Sequence, residues 1–217
     1  SSIGLADALA ATGEFDAALQ RYAAAHDDAN AGGWMVLAAL CNELSALVQL
    51  AQGDYATALA GFEKARQQYE RLQMPQHLAN IERQLGETYL ELHLLPEASA
   101  LLQATIERFE GLEMRLEAAW TRIEFAKTLA SKRSNDPRIE AELSAAEQLF
   151  AAEKQRAGQA TAVLARAEHA MHLGDTARAR ELATSAAEEF RQLHMSTSTA
   201  RAKALAAVSE WHNDQSG

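Results

Sequence analysis

The sequence predicts an all-α chain built from one repeated helix pair. Three observations carry this. Alanine supplies much of the 48% hydrophobic content, while aromatic residues make up only 6% and prolines number 3 in 217 residues. That balance favours long helices packed closely through small side chains. Runs rich in Val, Ile and Thr, which would read as strands, are absent. Finally, the stretch QGDYATALAGFEKARQQY, residues 52–69, recurs along the chain at a fixed spacing.

Ala58 marks that recurrence. Its counterparts are Ala18, Ala98, Ile139 and Ala179, spaced 40, 40, 41 and 40 residues apart. Four residues after each marker stand Tyr22, Phe62, Leu102, Leu143 and Ala183. Seven after stand Ala25, Ala65, Thr105, Ala146 and Ala186, and eleven after stand Ala29, Tyr69, Phe109, Phe150 and Phe190. Offsets of 0, 4, 7 and 11 define one face of a helix. Five copies at one period are the signature of a helical repeat array. A second helix precedes each marker, clearest in IERQLGETYLEL, where a small residue, Gly86, would let two backbones approach. Its counterparts in that frame are Ala6, Ala46, Lys127 and Ala167, so Lys127 breaks the column and predicts different packing in the fourth copy.

Eleven helices follow in order: 3–12, 15–29, 34–51, 55–73, 76–92, 96–112, 115–131, 137–154, 157–173, 176–193 and 197–212. Gly13, Gly53 and Gly174 fall in tight turns within pairs. Pro96 and Pro137 open second helices, where a missing N–H costs little. The segment SKRSNDPR reads as a polar loop between helices. The last helix would cap the stack, with Arg201, Lys203, Glu210 and His212 on its outer face.

Leu85-Gly86-x-x-Tyr89 followed by a turn and Ala98, together with Gly53-x-Tyr55-x-x-Ala58, resembles the tetratricopeptide repeat. The resemblance runs from about Leu5 to Trp211. It departs in period, since the usual repeat is about 34 residues. Long repeats of this kind resemble those of kinesin light chains, maltose-activator-type bacterial regulators and arrays beside CHAT-type proteases. The resemblance implies a right-handed superhelical solenoid in a single domain, 1–217. Its repeats would be 3–32, 34–73, 76–113, 115–154 and 157–194, with a capping helix at 197–212. The start SSIGLADAL lacks a methionine, and its short first helix suggests a segment of a longer protein.

The resemblance also implies that first helices line a concave face where partners bind. Carried over residue by residue, that face would hold Glu43 and Leu47, then Asn80, Arg83 and Glu87, then Thr121, Glu124 and Thr128, then Thr161, Leu164 and Glu168. Four glutamates to one arginine suit a protein or peptide with basic or amide groups. They do not suit an acidic chaperone tail, which needs several cations. The expected function is therefore a protein-interaction scaffold. The alternative is a sensor segment of a larger signalling protein, a transcription activator or CHAT-type protease. Homo-oligomers through the end repeats are a further expectation.

The net charge of −10 and the lack of a basic patch argue against nucleic acid. No long uninterrupted apolar span predicts a membrane helix. One cysteine, Cys41, precludes an intrachain disulfide and reads as a buried structural thiol. A reducing, cytoplasmic setting is expected. No phosphate-cradling, nucleophile-elbow or zinc motif occurs, so no catalytic residue, cofactor or metal is assigned. His169 and His172, beside Glu168, could meet a metal only with a third ligand from another helix, and read instead as partly exposed histidines. Trp34, Trp120 and Trp211 are expected to pack between helices.

Overall fold

The computed structural model describes residues 2–132 and 135–215. Eleven α-helices account for the described secondary structure. They are α1 (Ser2–Ala11), α2 (Phe15–Ala31), α3 (Met35–Ala51), α4 (Tyr55–Arg71), α5 (Pro75–Glu91), α6 (Leu95–Gly111), α7 (Arg115–Lys132), α8 (Arg138–Ala152), α9 (Arg156–His172), α10 (Thr176–Gln192) and α11 (Ser196–Gln215). They form two compact units, residues 1–93 and 94–217. In each, every helix packs on the next in chain order, and in the second unit α9 also touches α7 and α11.

The four columns of the second helices form the core. Every side chain in them is buried, from Ala18, Tyr22, Ala25 and Ala29 in α2 to Ala179, Ala183, Ala186 and Phe190 in α10. Small residues in these columns set the helix spacing. A Cβ added to Gly61 in α4 would sit 2.9 Å from the Ala46 Cβ of α3, so that pair packs closer than any side chain would allow.

The turns follow one design. At Gly13, Gly33, Gly53, Gln73, His93, Glu113, Lys154, Gly174 and His194 the backbone takes positive φ, between 53° and 83°. The next residue then bonds back to a carbonyl five positions earlier, as in Trp34 N–H to Ala29 O at 2.8 Å and Met74 N–H to Tyr69 O at 3.0 Å. This is the Schellman closure of a helix end. Turns between pairs thus have the same geometry as turns within them, and the 40-residue repeat is two 20-residue helix-and-turn units. Asp54 and Asp175 cap α4 and α10 by accepting from the backbone N–H of Thr57 and Arg178.

One element departs from this rhythm. α7 and α8 are joined by residues 133–137, where the other connections have three residues. The extra residue of the 41-residue spacing therefore lies after α7, not before it. This corrects the fourth copy: Ala126 fills the small column at 1% exposure, and Lys127 stands on the surface. Pro96 lies in the first turn of α6 as expected, and Pro137 is the N-cap of α8. Within SKRSNDPR, Arg133 and Ser134 lie outside the described residues, as does the side chain of His212.

Candidate functional site

In both units the first helices are the sheltered layer. From Leu37 to Leu50 in α3, His77 to Leu90 in α5 and Ala157 to Ala170 in α9, no residue is fully exposed. The second helices instead alternate buried and exposed residues along most of their length. Partial exposure on a first helix is therefore confined to the turns of its face that no neighbour covers.

In the frame of the helix starts, that face is written by residues 5, 8 and 12 after each start. In the first unit these are Leu40, Glu43 and Leu47 on α3, and Asn80, Arg83 and Glu87 on α5. In the second they are Trp120, Ile123 and Lys127 on α7, then Thr161, Leu164 and Glu168 on α9, then Arg201, Ala204 and Val208 on α11. Of the expected contact residues, Leu47, Asn80, Arg83, Glu87, Glu124, Thr161 and Glu168 are half-buried and accessible.

Four are not. Thr121 and Thr128 are wholly buried, their hydroxyls donating to the carbonyls of Glu117 and Glu124 one turn back. The displaced insertion explains this: the frame runs one residue late through α7, so Trp120 and Lys127, missed in the sequence, take those places. Leu164 is a core side chain packed with Ala186 and Phe190. Glu43 is buried and accepts hydrogen bonds from the Tyr69 hydroxyl at 2.7 Å and from Gln84 Nε2 at 3.1 Å. It ties α3, α4 and α5 together and is a structural group. Burial and the neighbouring Glu43 carboxylate push the Tyr69 phenol well above its ordinary range, and Tyr69 also stacks on His77.

The glutamates expected to attract a basic partner are already engaged. Glu87 accepts from Arg83, Glu124 from Lys127 at 2.7 Å, and Glu168 from Arg201 at 2.6 Å, the last joining α9 to α11. With Glu43 buried as well, the acidic excess on this face is offset within the chain. Other arginines act as staples that periodicity does not reveal. Arg122 of α7 pairs with Glu110 of α6 and Glu142 of α8, and Arg166 of α9 pairs with Glu140 and Glu147 of α8.

Cys41 is buried, and burial raises its thiol pKa. His172 is exposed, but His169 is buried, and burial lowers its pKa, favouring the neutral imidazole. The tryptophans differ from expectation. Trp34 and Trp211 are 62% and 60% exposed, and Trp120 is 40% exposed while meeting the Phe150 ring edge-on. Among the described residues, no group of three or more His, Cys, Asp or Glu is placed to hold a metal ion. Nor is any described helix long and apolar enough to cross a membrane.

Sheltered first helices, outer second helices and a shared turn every 20 residues define a helical repeat protein. Residues 36–111 match the tetratricopeptide repeat family model, and the same helix-and-turn unit continues on both sides of that segment. The chain is a repeat protein of the tetratricopeptide type. No curated protein sequence matches it. Among solved structures, it resembles aspartyl phosphate phosphatase F from Bacillus subtilis at 12% identity and a TM-score of 0.72, covering 98% of this chain and 58% of that one. It resembles the nearly identical TPR-like repeats assigned to a kinesin light chain of Podosopora anserina at 12% identity and a TM-score of 0.73, covering 89% and 95%. A Rap protein complexed with competence and sporulation factor is similar at 15% identity and a TM-score of 0.68, covering 99% and 64%. The chain thus spans 58% of the phosphatase and 64% of that Rap protein.

Proposed function

We propose that the chain is a protein-interaction module whose first helices hold an extended or helical segment of a partner protein. The observation that carries this reading is the half-buried face itself. Asn80, Arg83 and Glu87 present amide, guanidinium and carboxylate groups from one side of α5, and Trp120, Lys127, Thr161 and Glu168 do the same from α7 and α9. Such a surface suits backbone amides and a few side-chain anchors better than a strongly charged tail, because its own charges are paired. Its role is binding, with no chemistry assigned to it. A second reading is a regulatory segment of a larger signalling protein. The incomplete coverage of the two Rap-type structures favours it, as does the factor bound to one of them.

The test is selection of peptides from a displayed library, followed by fluorescence anisotropy on the chain and on the double variant Arg83→Glu with Glu87→Lys. The exchange preserves an ion pair four residues apart on α5 and places the acid N-terminal to the base, the better order for a helix. Folding is therefore expected to be unchanged. A selected peptide should lose about tenfold or more in affinity, the effect of reversing charges that face a ligand. Equal affinity for both proteins would move the contact off α5.

A further inference from the structure

A cavity of about 220 Å³ opens between α7, α8 and α9. Ile139, Leu143 and Ala165 form much of its apolar wall, and Lys127 and Glu168, both on the proposed docking face, stand in its lining. The volume is several times the roughly 30 Å³ share of one liquid water, so it is no ordinary packing void. His169 also lines it. That side chain is 9% exposed, and its Nδ1 is buried with no hydrogen-bond partner. Buried polar atoms without a partner are uncommon and call for an explanation.

The other polar groups around the cavity have partners inside the chain. Ser131 Oγ donates to the Lys127 carbonyl at 3.0 Å, Lys127 Nζ to Glu124 at 2.7 Å, and His172 Nδ1 lies 2.8 Å from the Glu168 carbonyl oxygen. A ligand must therefore be mostly apolar and must bring one hydrogen-bonding group for a neutral imidazole nitrogen. An aliphatic group would leave Nδ1 unpaired. A carboxylate would be stripped of water against apolar walls and stand near Glu168.

We infer that the cavity takes a phenol-bearing aromatic side chain, that of a tyrosine in the docked segment, whose hydroxyl donates to His169 Nδ1. The inference rests on the docking face proposed above and names its anchor. An aromatic ring fills the apolar walls, and its single hydroxyl answers the single unpaired atom.

The test titrates p-cresol and toluene into the chain, with NMR on the methyl groups of Ile139, Leu143 and Ala165. p-Cresol should shift these methyls to saturation and bind about fivefold to tenfold more tightly than toluene, the gain from one net hydrogen bond. In His169→Leu that difference should vanish while toluene still binds. Methyl shifts that never saturate, or equal affinities for the two probes on the parent chain, would overturn the inference without recourse to any variant. Because neither probe is a peptide, this result is independent of the docking reading. A selected peptide that binds without displacing p-cresol would overturn the pocket's assignment to the docked segment while leaving the docking face intact.

Discussion

The two helices of each pair obey different rules. The second helix carries a fixed set of buried columns, and its remaining positions face outward. The first helix is enclosed for most of its length, yet its partly exposed positions change from Leu40 to Asn80 to Trp120 to Thr161. One helix holds the array together and the other varies what the array presents. A repeat can therefore keep its fold through four columns and still bind almost anything.

The largest expected effect tests the boundary between these rules in the fourth copy. Ala126→Lys would place an ammonium where the small column leaves 1% exposure, and should cost at least about 3 kcal/mol, the scale of a buried charge without a partner. Lys127→Ala removes an exposed side chain and an exposed ion pair with Glu124, and should change stability by no more than about 0.5 kcal/mol. Urea unfolding of the two variants reads the difference. Similar costs would mean that the column runs through Lys127 after all.

The same position shows what could be read from residues alone. All eleven helices and every buried column of the second helices were legible, because packing between neighbours repeats the same steric demand every 40 residues. The face of the first helices was legible only in part. Asn80, Arg83, Glu87 and Glu168 lie where the repeat frame put them, but a one-residue insertion between Lys132 and Arg138 shifted the frame through α7. Trp120 and Lys127 were exchanged for Thr121 and Thr128 as a result. The insertion sits in a connection, and a connection leaves no periodic signal that says on which side of a helix it falls. Glu43 shows the other limit. A carboxylate on a first helix looks like a surface group until its donors, Tyr69 and Gln84, are brought in from two other helices.

Glu43 gives the next prediction, a place where the sheltered layer behaves as core. Tyr69→Phe removes one of its two donors and should cost about 1–3 kcal/mol, because the carboxylate stays buried with less to satisfy it. The pH dependence should change as well. The folded-state pKa values of Tyr69 and Tyr22 are both raised above 10, by burial first and by Glu43 and Asp7 second. Above about pH 10 the unfolded chain loses these protons and the folded chain keeps them. Stability then falls with rising pH by about 1.4 kcal/mol per unit for each tyrosine. Tyr69→Phe should remove one of those two slopes, leaving Tyr22 to account for the rest. A parent chain with flat stability between pH 10 and 11 would show that neither phenol is held protonated by the fold.

The smallest effect concerns the turns, where within-pair and between-pair connections differ in residue type but not in geometry. Gly53 and Gln73 both take positive φ, 79° and 53°, in turns of the same length within the first unit. A Cβ on Gly53 would meet nothing within 4 Å, so backbone conformation alone is at issue there. A residue with a Cβ pays about 1–2 kcal/mol in that region, and glycine pays about 0.4–1 kcal/mol of extra chain entropy on folding. The balance favours glycine by roughly 0.5–1 kcal/mol. Gly53→Gln should therefore destabilise the chain, and Gln73→Gly should stabilise it, by similar amounts of opposite sign in the same urea titration. If Gln73→Gly instead destabilises, the side chains at the between-pair turns hold something the backbone alone does not. The two kinds of turn would then be separate devices, one closing a pair and the other joining pairs.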